Sequence, residues 1–472
     1  MMRMRYHYCF LAGVTMVLQF ILIKYLYPFP NFMQDSYNYL RSAATNIDAN
    51  LWPVGYAKLI RFAGFFSHCD HLLVFLQLFI YHICGLFYFH TLLALRPCSK
   101  WLQWTMFIFI FLNPAILYLS NYVTSDVYFI GISLVWMAQL FRLTYKPTLL
   151  LLSLHLLVLL LAFTVRYHAL IYPVISMTVI VFCQYSATVK AWAIAMTIFL
   201  VGAFILYTTR QTETHMGRRQ FSVFSGWQMA NNAVYAYVHI PANKRSQDTV
   251  PPQFKDIHSR VHQWLDSVPM SQRPDRPIMA YFIWDPGSPL QPETGAQNIS
   301  DNASHLRKMA QVAPLLNDYG KYLIARYPVP YIQYYIWPNL LQYMLPPAEN
   351  LAVYNDGLDS VLPVAKDWFH YNTTHIYKRA GAELKYFNFY PYLMLLILLF
   401  FAIGWIKYLY QEGRAIANEH FRYALTIVTY YWLVNIGFSV LASPVVLRYQ
   451  LFNMIIGATF GGMLWDMKVY GK

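Results

Sequence analysis

Ten stretches of about 20 mainly apolar residues punctuate the chain, at approximately 8–27, 72–95, 102–120, 126–144, 148–165, 168–186, 190–208, 388–408, 421–441 and 447–467. Each is close to the length a helix needs to cross a bilayer core. In hydrocarbon a backbone must pair its own N–H and C=O groups, so such a chain folds as a bundle of helices. Only 12% of the 472 residues are charged, against 58% hydrophobic, roughly half the charged fraction of a soluble protein. The expected fold class is a polytopic α-helical membrane protein with about ten transmembrane helices. The first apolar run outlasts a secretory h-region and no small-residue cleavage site follows, so it reads as a retained helix. Residues 57–66 are apolar but short, and belong on the membrane surface.

Lys and Arg in the short loops orient the bundle. With Arg3 and Arg5 inside, alternate loops carry Arg96 and Lys100, Arg142 and Lys146, Lys190, then Lys407, Arg414 and Arg422, and the tail adds Lys468 and Lys472. The opposite short loops, 120–126, 166–168 and 443–448, hold few cations. Both termini are therefore expected inside, and this ordering accounts for much of the formal +14 charge. No basic run or RNA-binding signature accompanies that charge, so nucleic acid is not an expected partner. The five cysteines all precede residue 184 without CxxC or metal-ligand spacing, which argues against a disulfide framework or zinc site.

Two larger pieces fall outside: a polar loop, 28–71, and a Pro-, Tyr-, Trp- and Asn-rich segment, 209–387, long enough for a mainly helical domain. The expected organisation is thus an N-terminal module of seven spans (1–208), an extracytoplasmic domain (209–387) and a C-terminal module of three spans (388–472). Within the domain, 327–345 is 19 residues without a charge but with Pro328, Pro330 and Pro338 and several tyrosines. That composition suits helices resting on the bilayer; an eleventh span would break the charge ordering. No internal repeat is visible, which disfavours an inverted-repeat transporter.

Charged groups at helix mouths are costly and are candidates for function. Once the inner cations are set aside, Asp35, Asp48, Asp126, Arg166, His168 and Arg448 share the outer face, though they come from separate parts of the chain. Asp35, in QDSYNYL, fits either a helix N-cap or a carboxylate base. Asp126, after Thr124 and Ser125, fits a cap or a ligand, and Asp48 reads as a turn residue. Arg166-Tyr167-His168 forms a tight outer turn, and Arg448 sits near the start of the last span. Two arginines at one depth suit either interfacial anchoring or an anionic lipid headgroup.

These residues and their order resemble the GT-C superfamily of integral-membrane glycosyltransferases, which use polyprenyl-phosphate-linked sugars. QDSYNYL with WPVGY resembles the acidic first outer loop of that family, and NPAILYLSNYVTSD, ending at Asp126, its second. TVRYHALIYP and SPVVLRYQ are similar to its outer basic positions. FSGWQMANNAVYAY (224–237) is similar to the start of the soluble part after the seventh helix in bacterial members. Many members pair acids in the first loop, whereas Asp35 is followed by Ser36.

The resemblance implies an inverting transfer of sugar from a polyprenyl-phosphate donor to an acceptor hydroxyl on a glycan, lipid or protein, at the outer face of a bacterial inner (plasma) membrane. Asp35 and Asp126 become the catalytic candidates; Arg166, His168, Arg448 and Tyr37 become the substrate-binding ones. No cofactor is firmly implied: ligand spacing gives no support to a metal, and a divalent cation at Asp35 and Asp126 stays open. A polysaccharide polymerase or O-antigen-ligase-like enzyme, dependent more on Arg and His, is the nearest rival. A lipid-linked-sugar flippase or transporter would need a polar path, and the spans contain almost no central charge. Asn298-Ile-Ser300, Asn302-Ala-Ser304 and Asn372-Thr-Thr374 match the glycosylation pattern, which arises readily by chance.

Overall fold

The computed structural model describes residues 2–245, 250–273, 282–285, 287–290, 302–379, 381, 384–410, 419–442 and 445–468. Arg414, Lys472 and the Asn298 triplet lie outside them. The first half runs α1 (Met2–Leu26), α2 (Gln34–Thr45), α3 (Gly55–Phe66), α4 (Asp70–Leu95), α5 (Lys100–Phe111), α6 (Pro114–Ser120), α7 (Asp126–Tyr145), α8 (Leu149–Val165), α9 (Tyr172–Phe182) and α10 (Ala187–Met216). It continues with α11 (Val223–Val238), α12 (Lys255–Ser267), α13 (Asn302–Arg326), α14 (Pro328–Tyr331), α15 (Trp337–Met344), α16 (Pro363–Phe369), α17 (Tyr390–Tyr410), α18 (Glu419–Ala442) and α19 (Leu447–Trp465). Among the described residues the only β pairing is two isolated bridges.

All ten apolar segments are helical. Seven helical stretches are long and apolar enough to cross a membrane: Tyr6–Leu26, Asp70–Leu95, Lys100–Ser120, Asp126–Tyr145, Ala187–Met216, Lys385–Tyr410 and Glu419–Ala442. Leu149–Val165 and Tyr167–Phe182 are apolar but shorter. The last, α19, has 19 residues, yet Arg448, Gln450, Asn453 and Thr459 dilute its apolar character and all four are buried. Such residues belong against protein, and α19 packs against α17, α5 and α7.

Side-chain caps set the boundaries: Ser99 accepts from the Leu102 N–H, Thr148 from Leu151 and Ser186 from Val189. Asn113 caps α6, whose first residue is Pro114, so the helix restarts inside one apolar run. α10 ends at Gly217, where a φ of 74° needs a residue without Cβ. The centre of the bundle is α7. Trp136 stacks flat on Tyr172 at 3.8 Å and donates to Ser176, while the Tyr172 hydroxyl donates to Ser133. By contrast α1, α10 and α17 leave Phe10, Leu18, Ile198, Phe199, Leu396 and Phe400 exposed, an apolar belt expected of lipid-facing helices.

α3 buries Tyr56, Ala57, Ile60 and Ala63 in the bundle core and exposes Phe62, Phe65 and Phe66. The segment 209–387 contributes to three cores, the smallest of them Tyr343 with Val440 and Val445. Residues 216–335 build one of their own around Trp227, Val234, Leu316 and Tyr319, joined by Ala49 and Leu51 of the first loop. Gly226 and Gly320 let α11 and α13 cross closely: a Cβ on Gly226 would lie 2.1 Å from the Ala313 carbonyl oxygen. Leu351, Tyr354, Val361, Ala365 and Phe369 instead pack into the core of the membrane bundle.

The uncharged stretch 327–345 is a helix broken by a π turn at Ile332–Ile336. Pro338 has no N–H to give and its ring crowds the preceding turn, which widens the helix. Its α15 end packs against α18, where Asn339 donates to the Ser439 and Val440 carbonyls and Tyr343 to Asn435. Val329, Ile332 and Trp337 stay exposed.

Candidate functional site

Asparagines lace three segments together. Asn31 pairs with the loop before α7: its N–H donates to the Asn121 carbonyl at 2.8 Å, and its own carbonyl accepts from Val123 at 3.1 Å. The Asn31 side chain accepts from the Asn355 N–H at 3.0 Å, while Asn355 Oδ1 accepts from the Phe32 N–H at 3.3 Å. Asn355 holds a φ of 50°, a left-handed conformation that asparagine tolerates better than most residues. The Leu447 N–H donates to the Pro347 carbonyl at 2.9 Å, which fixes the start of α19 against the segment that leads to Asn355. Tyr39 on α2 reaches Ser125 at 3.2 Å.

This lacing gathers an ion cluster from five places in the chain. Asp126 Oδ1 accepts from Arg166 at 2.6 Å, and Asp126 Oδ2 lies 3.5 Å from Arg448. Arg448 also lies 3.6 Å from Asp35 Oδ2, and its Nε donates to Glu349 at 3.1 Å. Both guanidiniums also lie over the Tyr449 ring, Arg166 at 4.3 Å and Arg448 at 4.6 Å from its centre. His168 packs 4.5 Å from the same ring. Asp35, Asp126, Arg166, His168 and Arg448 thus meet at one site.

The three carboxylates differ in access. Asp126 exposes 1% of its side chain, Glu349 16% and Asp35 21%. Asp35 is not the helix cap. Met33 precedes α2, and the Ser36 hydroxyl accepts the Met33 N–H at 3.0 Å, which leaves the Asp35 carboxylate for the cluster. Burial pushes the Asp35 carboxyl above the usual range, and the neighbouring Asp126 adds to this; Arg448 and Arg166 oppose it without cancelling it. For Arg166, burial alone would weaken the charge, but Asp126 outweighs it and holds the guanidinium above its ordinary range.

Asp126 Oδ2 is buried, with the Arg448 guanidinium 3.5 Å away. A divalent cation shared by Asp35 and Asp126 does not fit. Arg448 Nη1 faces both carboxylates at 3.6 and 3.5 Å, the position a bridging cation would take. A second positive charge beside two guanidiniums would be repelled.

Tyr37 is placed elsewhere. Its ring stacks on Phe32 at 5.9 Å, with the hydroxyl at the Leu362 backbone. Asp48 pairs with Lys58 at 2.5 Å and accepts from Tyr207, a scaffold role tying the first loop to α3 and α10. Glu349 and Tyr449 were not singled out from the sequence. Glu349 is the first charged residue after the uncharged stretch from 327, and its φ of 53° is uncommon for a glutamate. Tyr449 directly follows Arg448, as Tyr167 follows Arg166.

Comparison of the chain with protein-family models, with curated proteins and with solved structures finds no match.

Proposed function

We propose that this protein is a GT-C-like inverting glycosyltransferase. It moves a sugar from a polyprenyl-phosphate donor to an acceptor hydroxyl at the outer face of a cell membrane. The observation that carries this reading is the cluster itself: two guanidiniums held by a deeply buried Asp126, beside an Asp35 that keeps the most access of the three carboxylates.

The chemistry assigns each group a task. The acceptor oxygen attacks the anomeric carbon from the face opposite the phosphate. A new C–O bond forms as the bond from that carbon to the phosphate oxygen breaks, and the configuration inverts. Asp35, as carboxylate, takes the hydroxyl proton during the attack. The leaving group departs as polyprenyl phosphate with one more negative charge, which Arg166 and Arg448 stabilise. Asp126 is a positioning residue that aims both guanidiniums, and the Tyr449 ring, packed by His168, supports them. Aromatic residues of the first loop and α11, with Trp52 packed 5.0 Å from Phe224, supply ring faces on which sugars stack.

Binding of polyprenyl phosphate, the shared product of such donors, tests the arginine assignment. Arg448→Gln should weaken it at least tenfold, while Asp35→Asn, by removing a negative charge, should leave it unchanged or tighter. Equal binding by wild type and Arg448→Gln removes the assignment.

A further inference from the structure

Arg448 is held by carboxylates at both ends of its guanidinium. Nη1 lies 3.6 Å from Asp35 and 3.5 Å from Asp126, and Nε donates to Glu349 Oε2 at 3.1 Å. A phosphate that takes Arg448 as a partner must therefore displace one of these carboxylates or stand as a further anion against the same guanidinium. Like charges at contact distance repel, most strongly where water is scarce, and Arg448 is buried. Displacement is the cheaper route.

The surroundings decide which carboxylate can yield. Asp126 is almost fully buried and also accepts from Arg166 at 2.6 Å, so its departure would strand a second charge. Asp35 has its own task as proton acceptor. Glu349 belongs to a single short turn, Glu349–Ala352, in the connection between α15 and α16. Its backbone is held at a φ of 53°, in the left-handed region where a glutamate is strained. The chain is anchored on either side of it, by the Pro347 carbonyl at the Leu447 N–H and by the buried Leu351. The carboxylate can then swing away while its neighbours stay in place.

We propose that Glu349 is a positioning residue that holds Arg448 where the donor's phosphate binds, and gives way to that phosphate. A carboxylate and a phosphate accept from the same guanidinium N–H groups, so one replaces the other with Arg448 still aimed. The exchange also sets specificity: a ligand must carry enough charge to evict a carboxylate, which a phosphate does and a neutral sugar or lipid does not. This inference rests on the reading of the cluster as a phosphate site.

The test uses the full chain in nanodiscs, with polyprenyl phosphate as ligand and inorganic phosphate in a parallel arm. Glu349→Gln keeps an oxygen that can accept from Arg448, and Glu349→Gly suits the left-handed backbone. Both should bind polyprenyl phosphate about fivefold tighter or more. A carboxylate that only aims Arg448 would show the opposite, weaker binding on its removal. In wild type, carbodiimide-driven coupling of glycine ethyl ester to Glu349, read by mass spectrometry, should rise severalfold with polyprenyl phosphate as the side chain is released. A rise with polyprenyl phosphate alone assigns the exchange to the lipid-linked group; an equal rise with inorganic phosphate assigns it to the anion as such. Unchanged or weaker binding by both variants, or unchanged labelling in a wild type that binds, overturns the role of Glu349 and leaves the phosphate site standing. If neither wild type nor the variants bind polyprenyl phosphate, the phosphate site falls as well.

Discussion

Asp126 is the counter-charge that two guanidiniums share, and its removal makes a sharp test of the cluster. Its side chain is 1% exposed, as against 11% for Arg166 and 6% for Arg448. Asp126→Asn keeps the shape but puts a neutral amide in place of the carboxylate that Arg166 meets at 2.6 Å, beside the rings of Tyr449 and Phe129. Breaking a buried pair by removing one partner costs about 3–5 kcal/mol, most of it from the stranded charge. Arg166→Gln strands less, since Asp126 retains Arg448 at 3.5 Å, so its cost should fall toward about 2 kcal/mol. In the double variant neither charge remains, and the loss should not exceed that of Asp126→Asn alone. The coupling energy is then at least about 2 kcal/mol. Reversible denaturant unfolding of the four proteins in detergent micelles measures it. Additive single losses, or a loss under about 0.5 kcal/mol for Asp126→Asn, would refute the reasoning.

Three further outcomes are expected. Because burial raises the Asp35 pKa, the acid limb of transfer activity should lie above the ordinary carboxylate value of about 3.9. The same shift means its stability contribution is fully present below about pH 3.9 and is lost as pH rises through the folded value, so Asp35→Asn should flatten that slope in pH-dependent unfolding. Gly226→Ala places a Cβ 2.1 Å from the Ala313 carbonyl and should cost about 2–3 kcal/mol, seen as faster proteolysis of the outer helices; unchanged proteolysis would mean that α11 and α13 do not cross so closely. In a Cys69→Ser background, single cysteines at Ser259 and Ser360, both exposed, should label from outside. Protection of position 360 alone would turn 327–345 into a span.

The bundle was legible because apolar runs of span length leave a chain few alternatives, and all ten became helices. Their status as spans was less legible. α19 has the length, but its polar residues serve contacts with other helices, and a hydropathy pattern reports composition without partners. The convergence of Asp35, Asp126, Arg166, His168 and Arg448 was readable from a single rule, that outer-face charges need a reason. Their partners were not. Glu349 reaches Arg448 across 99 positions of sequence, and Asn31 meets Asn355 through a left-handed turn that no local pattern signals. Tyr37, which the resemblance brought toward substrate, stacks on Phe32 instead of joining the arginines.

If Asp35 is the base of a sugar transfer, replacing its carboxylate must stop release of the leaving group. Wild type and Asp35→Asn, reconstituted in nanodiscs with a panel of polyprenyl-phosphate sugars and acceptors, can be followed by release of polyprenyl phosphate. The account predicts release by wild type and a loss of about 100-fold or more in Asp35→Asn at equal folding; equal release by the two proteins would contradict it.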